Sequence, residues 1–162
     1  MNDQLIIETA RKWLSVDTAK VNQEILSSWI ESALVSAESK AWELLRTAFQ
    51  SRLRFGTAGL RGKIGIGTNA MNVGTVNQCS LGIEHYLQQC DVNGPVVIGY
   101  DARKFSQTFA RSAAEVFISN GRDVYFFDGH CATPFVSFAI KALGCVAGIM
   151  ITASHNPPED NG

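Results

Sequence analysis

Three apolar runs dominate the second half of this chain: "PVVIGY" at 95–100, "DVYFFD" at 123–128 and "CVAGIMIT" at 145–152. Each has strand length, and each pair is separated by a stretch of helical pattern. Neighbouring strands run parallel only when the chain crosses back over the sheet, and a helix is the usual crossover. Strand, helix, strand, helix, strand at this spacing predicts a β-α-β-α-β unit with parallel strands and right-handed connections. Both helical stretches carry their own punctuation. "FSQTFARSAAEVFISNG" offers Ser106 as an N-cap and Asn120-Gly121 as a stop. "TPFVSFAIKALG" places Thr133 to cap, Pro134 at the first helical position and Gly144 at the end.

Upstream the texture differs. Residues 1 to 54 are amphipathic and helical. "NQEILSSWIESAL" aligns Ile25, Leu26, Trp29, Ile30 and Ala33 on one stripe, and "ESKAWELLRTAF" aligns Ala41, Trp42, Leu45, Ala48 and Phe49. Both stripes are expected to pack on a neighbouring core. From Phe55 to Asn72 follow five glycines, at 56, 59, 62, 65 and 67, with Arg61 and Lys63 among them. So many residues free to take positive φ imply a shaped loop with accessible backbone. A helix over about 73–90 follows, with Asn72 as its candidate cap.

In an open parallel sheet, ligands gather outside the carboxyl ends of the strands. Those ends deliver Asp101, Arg103 and Lys104; then Asp128, His130 and Thr133; then Thr152, Ser154, His155 and Asn156. The glycine loop fails as a Walker A motif, because Gly56 and Gly62 enclose five residues and Ile64 stands where a hydroxyl is needed. "GIGTNA" spells a dinucleotide fingerprint, but no convincing strand precedes it and position 90 is Cys rather than an acid. Two readings of the loop remain. In one, Arg61 and open backbone amides cradle a phosphate; in the other, the loop is a structural turn with Arg61 in a surface salt bridge.

Ser154 is flanked by Thr152 and Asn156, so it is not the serine of a nucleophile elbow. Adjacent Ser and His are not a triad either, since neighbouring side chains seldom face one another. A serine at a strand end can instead carry a phosphoryl group, splitting a transfer between sugar oxygens into two easier steps. His155 and Asn156 would supply donors, and Pro157-Pro158 would stiffen the loop.

Three stretches, in order, then point to a family. "ITASHNPPEDNG" resembles the phosphoserine loop of the α-D-phosphohexomutase superfamily, "FGTAGLRG" its N-terminal loop, and "GYDARKFS" its G-x-D-x-R-x-x-S turn. The helical lead, "ATPFVSFAI" and residues 145–157 are most similar to the phosphoglucomutase/phosphopentomutase branch. The resemblance implies an α/β fold: a three-layer α/β/α sandwich on a mostly parallel, mixed sheet (residues 55–162) behind an N-terminal helical extension (residues 1–54). It implies catalytic roles for Ser154, His155 and Arg61, and substrate contacts from Thr57, Gly59, Arg61, Ser154, His155 and Asn156. It implies Mg2+ held through the phosphate on Ser154, with glucose 1,6-bisphosphate as activator and intermediate.

The same resemblance implies what lies elsewhere. Family members have four domains, and this chain matches the first, so domains 2–4, a lysine general acid/base and the metal-holding aspartates would fall beyond Gly162. The 162-residue chain alone is therefore expected to lack full mutase activity. The rival expectation is a non-catalytic module that binds sugar phosphates or a partner protein, with a dinucleotide-dependent oxidoreductase a distant third.

Charge narrows the partners. Fourteen basic and fifteen acidic residues leave a net charge of −1, so no global field recruits nucleic acid or anionic lipid. No apolar stretch reaches the ~20 residues of a membrane span, and the N-terminus has no signal-peptide core. Cys79, Cys90, Cys131 and Cys145 make no C-x-x-C pair, as expected of thiols in a reducing compartment. The expected location is cytoplasmic.

Overall fold

A computed structural model describes residues 2–57 and 59–162. The chain divides into two compact units, Met1–Asn72 and Val73–Gly162.

The first unit is a helical trio: α1 (Asp3–Val16), α2 (Lys20–Val35) and α3 (Lys40–Phe49). Asn2 caps α1 by accepting from Leu5 N at 2.9 Å, and Ser39 caps α3 through Ala41 N at 3.2 Å. Asp17 ties α1 to α2: its carboxylate accepts from Trp13 Nε1, Ala19 N and Asn22 Nδ2. The apolar stripes bury Ile6, Ala10, Leu26, Leu45 and Phe49 almost completely, and Trp13 meets Phe49 edge-on. Ile25 departs from its expected stripe and is exposed. Leu26, Ile30 and Ala33 of the same stripe are buried as expected.

After α3 come β1 (Phe55–Gly56) and β2 (Gly59–Leu60), a two-rung antiparallel hairpin, then β3 (Gly62–Lys63). Much of the glycine-rich stretch has a structural use. Residues 64–72 fold back onto the end of α3, where the last carbonyls need donors. Asn69 N donates to Ala48 O and Asn69 Nδ2 to Thr47 O, both at 3.0 Å. Leu53 N donates to Thr68 O, and the Thr68 hydroxyl to Ser51 O. Gly67 has φ +98°, and a Cβ there would stand 2.5 Å from the Ala48 carbonyl oxygen. Only glycine allows that approach.

The second unit holds α4 (Val73–Gln89), β4 (Val96–Tyr100), α5 (Ser106–Ser119), β5 (Val124–Phe126), α6 (Thr133–Ala142), β6 (Ala147–Ile151) and β7 (Asp160–Asn161). The sheet runs β5-β4-β6, with Val96 opposite Val124 on one side and Ala147 on the other, parallel throughout. The first strand is therefore central. Its right-handed crossover moves outward through α5, and the next returns through α6, so the two helices fall on opposite faces. Three layers follow: α5 backed by α4, the sheet, and α6. Val97 packs with Val136 and Ala139 of α6, and a Cβ on Gly99 or Gly148 would collide with Val136 or Ile140. This α/β/α arrangement matches the fold expected from the resemblance.

One charge pair is interred in this unit. Glu84 of α4 is 1 % exposed and pairs with Arg122, whose Nη1 also donates to the Val92 and Gly94 carbonyls. The guanidinium thus closes the α4–β4 connection. Hydrogen bonding from Arg122 is the largest influence on Glu84 and holds its carboxyl below the usual range, against the opposing effect of burial.

Two capping expectations are corrected. Helix α5 begins at Ser106 itself, with Phe105 in the left-handed region as N-cap (φ 65°) and no side-chain cap bond. The Ser106 hydroxyl is taken by Asp101. Likewise Ala132, not Thr133, is the N-cap residue of α6. The stop signals are where the sequence places them: Gly121 and Gly144 both take positive φ.

Candidate active site

The strand order reverses at β4, and that is where the polar residues converge. Asp101 follows β4 directly. Its Oδ1 accepts from Ser106 Oγ at 2.6 Å and from Arg103 N at 3.0 Å, while Oδ2 accepts from Thr152 Oγ1 at 2.6 Å. Burial is the strongest single influence on this carboxyl and pushes its pKa up. The bonds from Ser106, Thr152 and Arg103 N, together with the charge of Arg103, outweigh it and hold Asp101 below the ordinary carboxylate value. The group is a permanent anion at neutral pH.

Thr152 relays that anchor into the next loop. Its hydroxyl hydrogen goes to Asp101, leaving the oxygen to accept from Ser154 N at 3.0 Å. Asn156 N closes a turn on Ala153 O, and Thr152 N bonds Gly162 O. Inside this closed loop Asn156 Nδ2 reaches Asp160 Oδ2 at 2.9 Å. Asn161, fully buried, donates to Lys104 O and Ser106 Oγ. Asn156, expected as a donor to ligand, thus commits at least one amide hydrogen to holding the loop.

At the tip stands Ser154, exposed, with φ 56°. That left-handed backbone costs a non-glycine residue about 1–2 kcal/mol. Contrary to expectation, the adjacent ring does approach: Ser154 Oγ lies 3.4 Å from His155 Nδ1. Both side chains face water and the contact is long, so it orients the pair without making a strongly coupled nucleophile and base.

Ser154, His155 and Asn156 belong to the second unit, and Thr57, Gly59 and Arg61 to the first. Thr57 is exposed, and Gly59 closes the β1–β2 turn with φ 96°. Arg61 is half-buried, and its Nε is buried without a hydrogen-bond partner. No ion pair to Arg61 occurs among the described residues. At the end of β5, His130 is used in packing, edge-on to Tyr100 at 5.5 Å.

The sequence places Asp101, Arg103 and Thr152 at strand ends and Asn161 at the end of the ITASHNPPEDNG stretch, but gives none of them a role. The available signal was co-occurrence: an Asp-x-Arg turn and a Thr-x-Ser loop at adjacent strand ends imply one network.

Comparison with known proteins gives a consistent set. Residues 52–162 match the family model "Phosphoglucomutase/phosphomannomutase, alpha/beta/alpha domain I". The "Probable phosphoribomutase" of Schizosaccharomyces pombe is 42 % identical across 99 % of this chain and 27 % of its own length. A phosphoglucomutase of Staphylococcus aureus is 42 % identical across 83 % of the chain and 25 % of its own. Among solved structures, the crystal structure of a "putative phosphomannomutase" from Thermus Thermophilus aligns with TM-score 0.64 at 34 % identity, covering 69 % of this chain and 25 % of that one. The chain spans about a quarter of the length of the curated relatives it matches.

Proposed function

Because this chain belongs to the phosphoglucomutase/phosphomannomutase family, as its α/β/α domain I, we propose that it presents Ser154 as the phosphoryl carrier of a sugar-phosphate mutase. Phosphoserine would transfer its phosphoryl group to the free hydroxyl of a sugar 1-phosphate: the bond between phosphorus and Ser154 Oγ breaks, a bond to the sugar oxygen forms, and the sugar hydroxyl gives up its proton as the serine oxygen takes one up. The product is a bisphosphate, glucose 1,6-bisphosphate when the sugar is glucose. Return of the other phosphoryl group to Ser154 releases a 6-phosphate, or a 5-phosphate for a pentose. His155 would donate to the transferring group, and Arg61 would bind a substrate phosphate beside the turn of Thr57 and Gly59. Asn156 would contribute through the shape of the loop.

The observation that carries this reading is the placement of Ser154. An exposed hydroxyl is held in a left-handed position at the carboxyl edge of a parallel sheet, on a loop fixed from within by a half-buried charge network. Arg61 Nε, buried without a hydrogen-bond partner, fits a residue whose guanidinium awaits a ligand.

Mg2+ is a separate matter. No cluster of three or more His, Cys, Asp or Glu side chains that could hold a metal occurs among the described residues. These residues therefore make no donor set of their own for the ion, and no step here is routed through it. We further propose residues 1–54 as a helical lead to a sugar-phosphate domain at 55–162, with domains 2–4 supplying the rest of the machinery. The 162-residue chain alone should then show little mutase turnover. A cytoplasmic location is part of the same proposal and is supported by four free thiols. No described helix is long and apolar enough to cross a membrane.

The test is intact mass after incubation with glucose 1,6-bisphosphate in Mg2+ buffer. A gain of one phosphoryl group that Ser154→Ala abolishes supports the proposal. Measurable sugar-phosphate binding with no labelling would favour a non-catalytic binding module instead.

A further inference from the structure

Arg103 lies in the turn after β4, and its guanidinium is given over to the Ser154 loop. Nη2 donates to Ser154 O at 2.7 Å and Asn156 O at 2.8 Å. Nη1 donates to Pro157 O at 2.8 Å and Asp160 O at 3.2 Å, and Nε faces Asp101 Oδ2 at 3.4 Å. Every nitrogen of the planar fork is engaged. Four carbonyls from residues 154–160 thus converge on one cation.

Converging carbonyl oxygens repel each other unless positive charge sits at their focus. The loop geometry is therefore conditional on that guanidinium. The peptide bonds of residues 154–160 are trans, so each carbonyl turned inward sends the next N–H outward. The Ser154 carbonyl faces Arg103, and the His155 N–H accordingly points away from it. The two prolines suit the same design. Turning the Asn156 and Pro157 carbonyls inward strands no outward N–H, because Pro157 and Pro158 have none. Asp101 in turn holds Arg103 through both its Nε and its backbone N–H.

We propose that Arg103 is a positioning residue for Ser154: a cation threaded through the loop that fixes the backbone of residues 154–160. The Ser154 hydroxyl and the His155 amide are thereby held together on the outer face, as two groups that meet one phosphoryl unit. This rests on the reading of Ser154 as phosphoryl carrier, but the loop order it describes can be measured without any phosphoryl chemistry.

The experiment compares Arg103→Ala and Arg103→Lys with the unaltered chain by amide hydrogen exchange and thermal unfolding. Lysine keeps the charge and loses the fork, so both variants are expected to fail alike. Exchange at Ser154, Asn156, Asp160 and Gly162 should rise about tenfold or more, while β4 and α5 change less than about twofold. Guanidinium ion at about 50 mM should slow loop exchange again in Arg103→Ala and not in Arg103→Lys. Phosphate uptake at Ser154 from glucose 1,6-bisphosphate should slow in both.

Restored loop protection in Arg103→Lys would overturn the proposal, as would a rise in exchange spread evenly over the unit. Failure of Arg103→Ala to fold moves the comparison to Asp101→Asn, which frees the anchor and keeps the cation. Loop exchange unchanged there would also overturn it. If the loop opens as described but the unaltered chain takes up no phosphate, the carrier reading falls and the loop-holding role of Arg103 stands. If the unaltered chain and both variants are labelled equally fast, the carrier reading stands and the positioning role falls.

Discussion

Replacing Thr152 by valine removes a single oxygen and keeps the branched shape. In the native loop that oxygen donates to Asp101 Oδ2 at 2.6 Å and accepts from Ser154 N at 3.0 Å. The first bond ends on a carboxylate and is of the class worth about 1.5–3 kcal/mol; the second is of the ordinary class, about 0.5–1.5 kcal/mol. Water can replace the second, because Ser154 is exposed, and Asp101 keeps its bonds from Ser106 and Arg103. The net cost of Thr152→Val is therefore about 2 kcal/mol. If the loop opens locally, that corresponds to roughly a 30-fold rise in exchange at the Ser154 amide. Urea unfolding and site-resolved exchange read the two quantities. A double-mutant cycle with Asp101→Asn should return a coupling of about 1 kcal/mol or more, since the hydroxyl acts on the carboxylate directly. Stability unchanged within about 0.5 kcal/mol, with native exchange at Ser154, would refute the relay from Asp101 through Thr152 to the serine.

Other outcomes follow from the same geometry. Glu84→Ala leaves Arg122 as a buried cation without its carboxylate and should cost about 3–5 kcal/mol, read as a large fall in Tm of the second unit. Gly67→Ala forces a Cβ against the Ala48 carbonyl at positive φ and should cost about 2 kcal/mol or more by urea unfolding. Asp101 and Glu84 are both held below their usual carboxylate values in the folded chain. Their stabilisation is thus complete above the unfolded values near pH ~4 and is lost as pH falls through the lower folded values. Asp101→Asn should lower stability at neutral pH and flatten the acid limb below about pH 4 in a pH-resolved unfolding series.

Much of this architecture was legible because periodicity reports burial. Val96, Val97 and Ile98 are interior on both faces of a parallel sheet, and a continuous apolar run is what such a strand requires. Gly121 and Gly144 announce helix ends because few other residues take positive φ there. The misplacements have local causes. Ser106 and Thr133 have capping side chains, but each sits one position inside its helix, and the Ser106 hydroxyl answers to Asp101 across the turn. In the glycine-rich loop, density of glycine suggested ligand access, whereas Gly67 serves close docking on α3. The loop-holding contacts of Arg103 were the least legible part of the site. The partners are backbone carbonyls more than fifty positions away, and carbonyls have no sequence identity. A cation in a polar turn looks the same on paper whether it meets solvent or holds a loop together.

The most direct measurement is a phosphopeptide map of the chain after exposure to glucose 1,6-bisphosphate. Tandem mass spectrometry is expected to place a single phosphate on Ser154, and later addition of glucose 1-phosphate is expected to discharge it. Phosphate found on another residue, or none at Ser154 in a chain whose loop exchange confirms native order, would contradict the assignment of Ser154 as the carrier.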